Sequence, residues 1–425
     1  MVGRMVELND IWGFAYEPEW VSWEGSWDIS PALPRSGLQF LDGSTVRTVQ
    51  WFFDNLLPEE GMRKALAGQL KMNEGDAFSL LEYLGAESAG ALVLLPPDAA
   101  FVPEQGIQIL ADAVLSARIE SMPQIPMAAT SPKRMSLAGA QHKLLVCWDG
   151  SALSEPKGST PSSHILKPDS PDPYYPHSVI NEYAMMTLAK GIGLEVPQVW
   201  RHYCPKPVYI VERFDRRGGP WTGPGSVERL HIIDTCQLLN KSRAFKYELA
   251  SLDSLKAVVE ATRAPVATRM GLYRWLVFNL LIGNEDNHLK NISLMIDTSG
   301  VHLAQTYDLL STAAYHTTAM RPGQALWPAV PLAIPLPGQG TFEHVTRTGV
   351  LAAGEALGIP SRLCNRELDE QLQKIEPMFD TLIAQVQSEN LTLREDAHRY
   401  LGGELRFLRT IRHVIVEQMV QRLKA

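Results

Sequence analysis

The spacing of apolar residues changes from strand-like to helical beyond about residue 230, and that change limits the fold of this chain more than any other feature. Between residues 136 and 214, short apolar runs separated by glycine and proline indicate strands, at 143–148, 164–167 and 208–214. A helix is predicted at 178–193, ended by Gly191 and Gly193. Beyond about residue 230 the spacing is mostly helical, as at 232–240, 272–282, 368–386 and 403–423. The pattern predicts an α+β fold, with a small sheet-rich part followed by a larger helical part.

Composition and charge exclude several classes of protein. No apolar run in the 425 residues approaches the roughly 18–20 that a membrane helix needs, and the first ten residues lack the apolar stretch of a secretory signal. The four cysteines are scattered without CxxC spacing, which argues against a zinc site and favours a reducing cytoplasm. The net charge of −8 makes DNA contact more plausible through a partner than directly.

The segment GNEDNHLKNIS (283–293) carries the strongest chemical signal. Asp286 and Asn291 stand five residues apart, the D-x-x-x-x-N spacing of a kinase catalytic loop. A carboxylate there can orient an attacking hydroxyl and accept its proton, and an amide carbonyl can ligate magnesium. Lys290, between them, could reach the transferring phosphate. For so short a motif, a polar helix-capping loop is the alternative.

A second acidic residue follows at the distance of one hairpin. Apolar stretches at 292–296 and 301–303, separated by DTSG (297–300), predict two short strands that return Asp308 beside Asn291. Asp308 would then bridge magnesium to the β- and γ-phosphates of ATP. By itself, an aspartate in this position would more often cap a turn or a helix.

Three segments upstream complete an order expected of a nucleotide-binding kinase core. Small residues in SLAGAQHK (136–143) would let backbone N–H groups approach phosphate oxygens, although a hairpin turn has a similar composition. Lys167 closes a strand and could pair with Glu182 on the next helix, unless both are solvated surface charges. The backbone of VERFDR (211–216) could face adenine, with an ordinary edge strand as the alternative.

These segments resemble the HipA family of serine/threonine kinase toxins. The resemblance covers most of residues 10–312 and implies a two-lobed protein-kinase-like fold. Its domains would be a HipA-type N-terminal subdomain (1–125), a β-rich kinase N-lobe with the Gly-rich loop (126–217) and a helical C-lobe with the catalytic loop (218–425). The matching stretches are FAYEPEW, ISPALP, FFDNLLPEEGMR, SLAGAQHK, ILKP (165–168), NEYAMMTLAKGIGLEVP (181–197), VERFDR, GNEDNHLKNIS and TYDLLS (306–311).

The resemblance assigns roles by motif position. Asp286 would be the catalytic base, assisted by Lys290, and Asn291 and Asp308 the magnesium ligands. Ser136, in the Gly-rich loop, would be an autophosphorylation site. The residues that would bind the nucleotide are Ala138, Gly139, Ala140, Gln141, His142, Lys143, Lys167, Glu212, Arg213, Phe214, His288 and Asn291.

The resemblance also implies cofactors and partners. The enzyme would use ATP and Mg²⁺ and would phosphorylate a protein, expected to be an aminoacyl-tRNA synthetase. It would be held inactive by a HipB-like helix-turn-helix antitoxin, would meet DNA only through that antitoxin, and would not bind a membrane. The family usually opens with an additional strand, so the chain is expected to start inside that element, at residues 2–4. The proline-rich stretch 324–338 receives no role.

Two other functions are compatible with the motifs. Small-molecule and lipid kinases of the phosphoinositide type use a similar G-x-x-D-x-H-x-x-N loop. A non-catalytic corepressor could retain the fold without the activity. The N-terminal segments favour the protein kinase over the first alternative, and the presence of every catalytic residue type argues against the second.

Overall fold

The computed structural model describes residues 1–97, 105–122, 124–133, 138–139, 141–219, 222–223 and 225–424. The strands are, in chain order, β1 (Gly3–Leu8), β2 (Ile11–Tyr16), β3 (Gln39–Leu41), β4 (Gln105–Ile109), β5 (Leu144–Trp148), β6 (Leu153–Gly158), β7 (His164–Pro168), β8 (Val199–Tyr203), β9 (Pro207–Glu212), β10 (Arg216–Arg217), β11 (Glu228–Arg229), β12 (Ile232–Asp234), β13 (Ser293–Asp297), β14 (Gly300–Leu303), β15 (Pro331–Leu336) and β16 (Gln339–Thr341). The α-helices are α1 (Pro18–Ser22), α2 (Thr48–Asp54), α3 (Glu60–Leu70), α4 (Ala77–Leu84), α5 (Asp112–Glu120), α6 (Ser178–Ile192), α7 (Thr235–Leu238), α8 (Leu252–Ala261), α9 (Pro265–Ile282), α10 (Arg347–Ala356), α11 (Ser361–Asn390), α12 (His398–Thr410) and α13 (Glu417–Lys424).

The chain forms two compact units, each assembled from separate stretches of sequence. The first comprises Met1–Leu166, Glu212–Lys246 and Ile292–Ala304. The second comprises Lys167–Val211, Tyr247–Asn291 and Gln305–Ala425. The predicted domain boundaries near residues 125 and 217 stay predictions, because they concern functional domains rather than compact units.

Antiparallel sheets form the framework of the first unit. Strands β1, β2 and β3 make one sheet, and β12, β13 and β14 make another. A third sheet contains the neighbouring strands β4, β6, β5 and β7. Every residue of β5 is buried, as expected of a continuous apolar run in the middle of a sheet. The strands predicted at 143–148 and 164–167 are confirmed within one residue at each end.

The prediction of a helix over residues 232–240 is wrong for its first part. Residues 232–234 form β12, antiparallel to β13, and only α7 is helical. The Asp234 side chain accepts a hydrogen bond from the backbone N–H of Gln237 (2.8 Å), whose side chain accepts from the backbone N–H of Asp234 (2.9 Å). This capping box starts the helix at Thr235. The strand forms because β13 pairs with it from far along the chain, which local periodicity cannot reveal.

The hairpin predicted after the DxxxxN segment is present. Strands β13 and β14 pair antiparallel, with Ile296 opposite Val301 and Asp297 opposite Gly300. Gly300 adopts a φ of 122°, a conformation that a side chain disfavours, directly after the turn. The chain therefore leaves the second unit after Asn291 and re-enters it at Gln305.

Helices dominate the second unit. Helix α9 begins with Pro265 in its first turn and ends where Gly283 adopts the left-handed conformation (φ 64°). Nearly all of α6 is buried, and it packs against α11, α12 and β8. The predicted helices at 178–193, 272–282 and 368–386 are confirmed, the last two with longer bounds. None of the helices in the described ranges combines the length and apolar character needed to cross a membrane.

The proline-rich stretch folds against the helical part of the second unit. It contains β15, which pairs with β16. The indole N–H of Trp327 donates to Gln418 Oε1 (2.8 Å), and its ring packs against Phe342 with 5.4 Å between centroids. A methyl group added to Gly283 would lie 3.6 Å from the Trp327 ring. The stretch thus helps to enclose the point where α9 ends.

Candidate active site

Lys167, Glu182 and Asp308 form a triad in the second unit. The Lys167 ammonium lies 2.7 Å from Glu182 Oε1 and 2.7 Å from Asp308 Oδ1. The lysine and glutamate side chains are 12% and 5% exposed, so they are not the solvated surface charges of the alternative interpretation. The pairing predicted between Lys167 and Glu182 is confirmed, and the lysine also joins Asp308, which lies 141 residues away in sequence.

The triad keeps the lysine charged. Burial lowers the pKa of Lys167, but the nearby carboxylates of Asp308 and Glu182 outweigh burial and raise it above its ordinary value. The lysine also stands 5.9 Å from the centre of the Tyr209 ring, in a pocket where burial raises the pKa of that tyrosine. A permanent positive charge is therefore fixed next to the Asp308 carboxylate.

The loop after α9 is held by a chain of amide hydrogen bonds. Asn279, on the last turns of α9, accepts a 2.7 Å hydrogen bond from the side-chain amide of Asn284. The Asn284 carbonyl in turn accepts from the backbone N–H of Asp286 (3.0 Å). The backbone N–H of Glu285 donates to Thr312 Oγ1 (2.7 Å). The buried side chains of Asn279 and Asn284 therefore fix the backbone of Asp286.

Two hydrogen bonds place Asp308 and Asn291 on the same part of the second unit. The Asn291 side-chain N–H donates to the backbone carbonyl of Asp286 (2.7 Å), which leaves its amide oxygen as the atom suited to a cation. The Tyr307 hydroxyl donates to the backbone carbonyl of Lys290 (2.7 Å). Because Tyr307 precedes Asp308 and Lys290 precedes Asn291, this bond joins the two predicted metal-binding segments.

Asp286 is half-exposed, whereas the loop residues that follow it, 287–291, are buried. Its carboxylate is 46% exposed and accepts a hydrogen bond from the Tyr247 hydroxyl. His288 Nε2 lies 3.9 Å from the same carboxylate oxygen. Lys290 and His288 are both below 10% exposed. The carboxylate is therefore more exposed than the 25% exposed Glu285 beside it, and an incoming hydroxyl can reach it.

Two residues that sequence reasoning missed fix the helix that carries Glu182. Asn181 accepts from the backbone N–H of Ser311 (2.8 Å) and donates to the Ser311 carbonyl (3.2 Å). Asp169 accepts a 2.8 Å hydrogen bond from the backbone N–H of Val179 at the start of α6. Burial raises the pKa of Asp169 to about 6, although hydrogen bonds from Val179 and Ser178 act in the opposite direction. Sequence analysis could have found Asn181, because a polar residue inside a mostly apolar helix indicates a buried hydrogen-bond partner.

The donor set of this site fits magnesium and a nucleotide triphosphate. Mg²⁺ prefers oxygen ligands and is usually bound through one or two carboxylates together with substrate phosphates. The Asp308 carboxylate and the Asn291 amide oxygen supply such ligands, and the Lys167 ammonium supplies a cation for phosphate oxygens. These are the residues that the sequence assigned to these roles.

The predicted nucleotide-binding residues of the Gly-rich loop lie in the first unit. Gly139 has a φ of 104°, and the Lys143 ammonium donates to the Ala138 carbonyl, so the lysine folds back over the glycine. Gln141 is exposed, and burial lowers the pKa of His142. Ser136 and Ala140 lie outside the described residues. The nucleotide contacts of residues 138–143 stay a prediction.

The side chain of Arg213 has a structural role. The sequence predicts that Arg213 lines the nucleotide site together with Glu212 and Phe214. Its guanidinium is buried and pairs with Asp215 (2.6 Å) and with the fully buried Glu87 (3.3 Å). Its backbone N–H donates to the Ser163 carbonyl (2.9 Å). Contact with a nucleotide through the backbone of residues 212–214 stays a prediction.

Glu87 is the centre of a buried ionic cluster that also includes cations from distant parts of the first unit. Besides Arg213, it pairs with Lys133 (2.7 Å), Arg216 (3.1 Å) and Arg229 (2.6 Å). Burial raises the pKa of Glu87, but the surrounding cations outweigh burial and hold it well below its usual range. The N-terminal segment is thereby tied to residues 213–229 of the same unit.

Comparison with known proteins places this arrangement in a family. Residues 1–95 match the model of the HipA N-terminal domain, and residues 135–387 match that of the HipA-like C-terminal domain. A putative kinase of Sinorhizobium fredii is 37% identical over 71% of this chain and 73% of its own length. The serine/threonine-protein kinase toxin HipA of Shewanella oneidensis is 34% identical over 72% of this chain and 71% of its own length.

A solved structure agrees with the sequence matches. A chain from the complex of HipA, HipB and operator DNA of Shewanella oneidensis superimposes with a TM-score of 0.76 and 28% identity, covering 99% of this chain and 97% of the other. This match confirms the predicted α+β, kinase-like fold. Since the C-terminal domain model alone spans more than half of its residues, the chain belongs to the HipA family of serine/threonine kinases.

Proposed function

We propose that this protein is the toxin of a HipBA-like toxin–antitoxin system and transfers the γ-phosphate of ATP to a serine or threonine hydroxyl of a protein. The observation that supports it most is the buried contact of Lys167 with both Glu182 and Asp308, beside a loop that presents Asp286. A corepressor without activity would have no need for this arrangement of charges.

Each residue of the site has one role in the proposed mechanism. Asp286 orients the acceptor hydroxyl and accepts its proton as the oxygen attacks phosphorus. Lys167, held by Glu182, neutralises phosphate charge, and Lys290 stabilises the charge that develops on the transferred group. Asn291 and Asp308 would hold magnesium, which when bound neutralises the β- and γ-phosphates.

The family resemblance supports further proposed roles for residues of the first unit. Ala138 to Lys143 and the backbone of 212–214 would contact the nucleotide, and Ser136 would be autophosphorylated. A HipB-like antitoxin would bind the protein and connect it to operator DNA, as in the Shewanella complex. The protein substrate would be an aminoacyl-tRNA synthetase, and the site of action the cytoplasm.

Incubation with Mg-ATP followed by phosphosite mass spectrometry tests this function. Wild type should carry phosphate on Ser136, and Asp286→Asn should carry none, because the acceptor hydroxyl loses its base. Asp253→Asn, an exposed aspartate in the first turn of α8, is the matched control and should behave as wild type. ATP binding without phosphate on any protein would favour a small-molecule kinase, and absence of ATP binding would favour a corepressor.

A further inference from the structure

Tyr247 makes a contact that the proposed mechanism does not use. Its hydroxyl donates a hydrogen bond to Asp286 Oδ1, the carboxylate of the proposed catalytic base. Its ring meets the His288 ring edge-on, with 4.8 Å between centroids and 80° between planes. Tyr247 is 46% exposed, so the hydroxyl reaches Asp286 from the solvent side of the loop.

This hydrogen bond reproduces the one that a substrate must make. A serine or threonine acceptor approaches from solvent and donates its hydroxyl proton to the same carboxylate. We propose that Tyr247 occupies the acceptor position on Asp286 and must swing away before a protein substrate can bind. The inference rests on the proposed role of Asp286 and adds a residue that controls access to the acceptor site.

The loop does not need Tyr247 to place Asp286. The backbone of Asp286 is already fixed by Asn284, which accepts its N–H, and by Asn291, which donates to its carbonyl. These two bonds hold the residue from the buried side. The tyrosine hydroxyl, by contrast, donates to the exposed carboxylate, where it competes with an acceptor.

The cost of displacing Tyr247 should be small enough for substrate to overcome. Half of the side chain is already in solvent, so moving it does not open a core. A substrate that must first displace the tyrosine binds less tightly, in proportion to the fraction of molecules whose acceptor position is free. Removing the hydroxyl removes this competition and keeps the ring contact with His288.

Tyr247→Phe tests the inference. Phosphate transfer to a degenerate serine/threonine peptide library should rise roughly 2- to 10-fold in kcat/KM, the range of one net hydrogen bond. The change should appear in the dependence on peptide concentration, while KM for ATP stays at the wild-type value. The substitution keeps the ring, so the variant should fold as wild type, and its thermal unfolding verifies this.

Tyr307→Phe is the matched control. It makes the same chemical change but removes a hydrogen bond to the Lys290 carbonyl, which supports the loop, so kcat should fall. A Tyr247→Phe variant with lower kcat and unchanged peptide KM would overturn the inference and make Tyr247 a positioning residue. Equal rates for Tyr247→Phe and wild type would also overturn it. If Asp286→Asn transferred phosphate as fast as wild type, the proposed function itself would fail.

Discussion

Asn181 on α6 and Ser311 after Asp308 are joined by a pair of hydrogen bonds between one side-chain amide and one peptide unit. The amide oxygen accepts from the Ser311 N–H (2.8 Å), and the amide nitrogen donates to the Ser311 carbonyl (3.2 Å). Glu182 is the next residue on the helix, and Asp308 lies three residues before Ser311. The pairing therefore fixes the positions of Glu182 and Asp308, the two acidic partners of Lys167, relative to each other.

Asn181→Ala should lower both stability and activity. It leaves two buried backbone groups of Ser311 without their partner, which should cost about 2 kcal/mol in the free energy of unfolding. Glu182 and Asp308 would then no longer be held in fixed positions around Lys167, which should reduce kcat roughly 10-fold or more. Urea unfolding and steady-state kinetics measure the two effects. Thr187→Ala on the same helix, which loses only a bond to its own turn, should stay within about 0.5 kcal/mol of wild type.

Lys167→Met should nearly abolish phosphate transfer. Loss of the ammonium removes the ion pairs with Glu182 and Asp308 and a phosphate contact, so kcat/KM should fall roughly 10²- to 10³-fold. Loss of these two ion pairs should also cost about 3 kcal/mol in unfolding free energy. Lys190→Met, at the exposed end of α6, the helix that carries Glu182, should change neither quantity. A fully active Lys167→Met variant would contradict the proposed site.

Gly283→Ala should destabilise the protein more than Gly193→Ala. Both glycines end a helix with positive φ, so each alanine should cost about 1–2 kcal/mol from backbone strain. At Gly283 the new methyl would also lie 2.7 Å from Ile415 Cγ2, whereas at Gly193 it would meet open space. Crowding should therefore add about 1–3 kcal/mol at Gly283 alone. Comparable unfolding free energies for the two variants would contradict this account.

Glu87→Gln should destabilise the first unit strongly. The substitution leaves Lys133, Arg213, Arg216 and Arg229 around a neutral group, and breaking a buried ionic network of this kind costs about 3–5 kcal/mol. Glu228→Gln removes an exposed pair with Arg217 in the same unit and should cost less than about 1 kcal/mol. Chemical denaturation followed by tryptophan fluorescence compares the two variants. A small effect at Glu87 would contradict the central role of its charge in this cluster.

Glu404 should make stability fall as pH rises. Burial raises its pKa to about 7, while the Tyr203 hydroxyl (2.7 Å) and Arg201 act in the opposite direction. Because the folded-state pKa exceeds the unfolded one, the folded protein binds more protons between about pH 4.5 and 7. The ionisation of Glu404 should therefore lower the free energy of unfolding by up to about 3 kcal/mol as pH rises across this range.

Glu404→Gln should remove this part of the pH dependence. The comparison is the slope of unfolding free energy against pH for wild type and variant between about pH 4.5 and 7. Glu389→Gln, which alters a more exposed partner of the same Arg201, should keep the wild-type slope because Glu404 is retained. An identical slope in wild type and Glu404→Gln would show that other groups cause it.

Sequence patterns predicted the elements of the site better than its connections. The motif order predicted the kinase-like fold and the HipA family, and both are confirmed. The helix that carries Glu182, the hairpin before Asp308 and the Lys167–Glu182 pair are present as expected. The helix predicted at 232–240 was partly wrong, because a strand pairing from far along the chain outweighed local helical spacing.

The sequence by itself determined which chemical groups this protein has and in what order, because catalytic residue types and helix or strand periodicity are local properties. Only the tertiary structure decided which groups meet. Asn181 with Ser311, Tyr247 with Asp286, and Glu87 with its cations are each separated by 39 residues or more. Such contacts depend on how whole elements pack, and spacing along the chain carries no record of them.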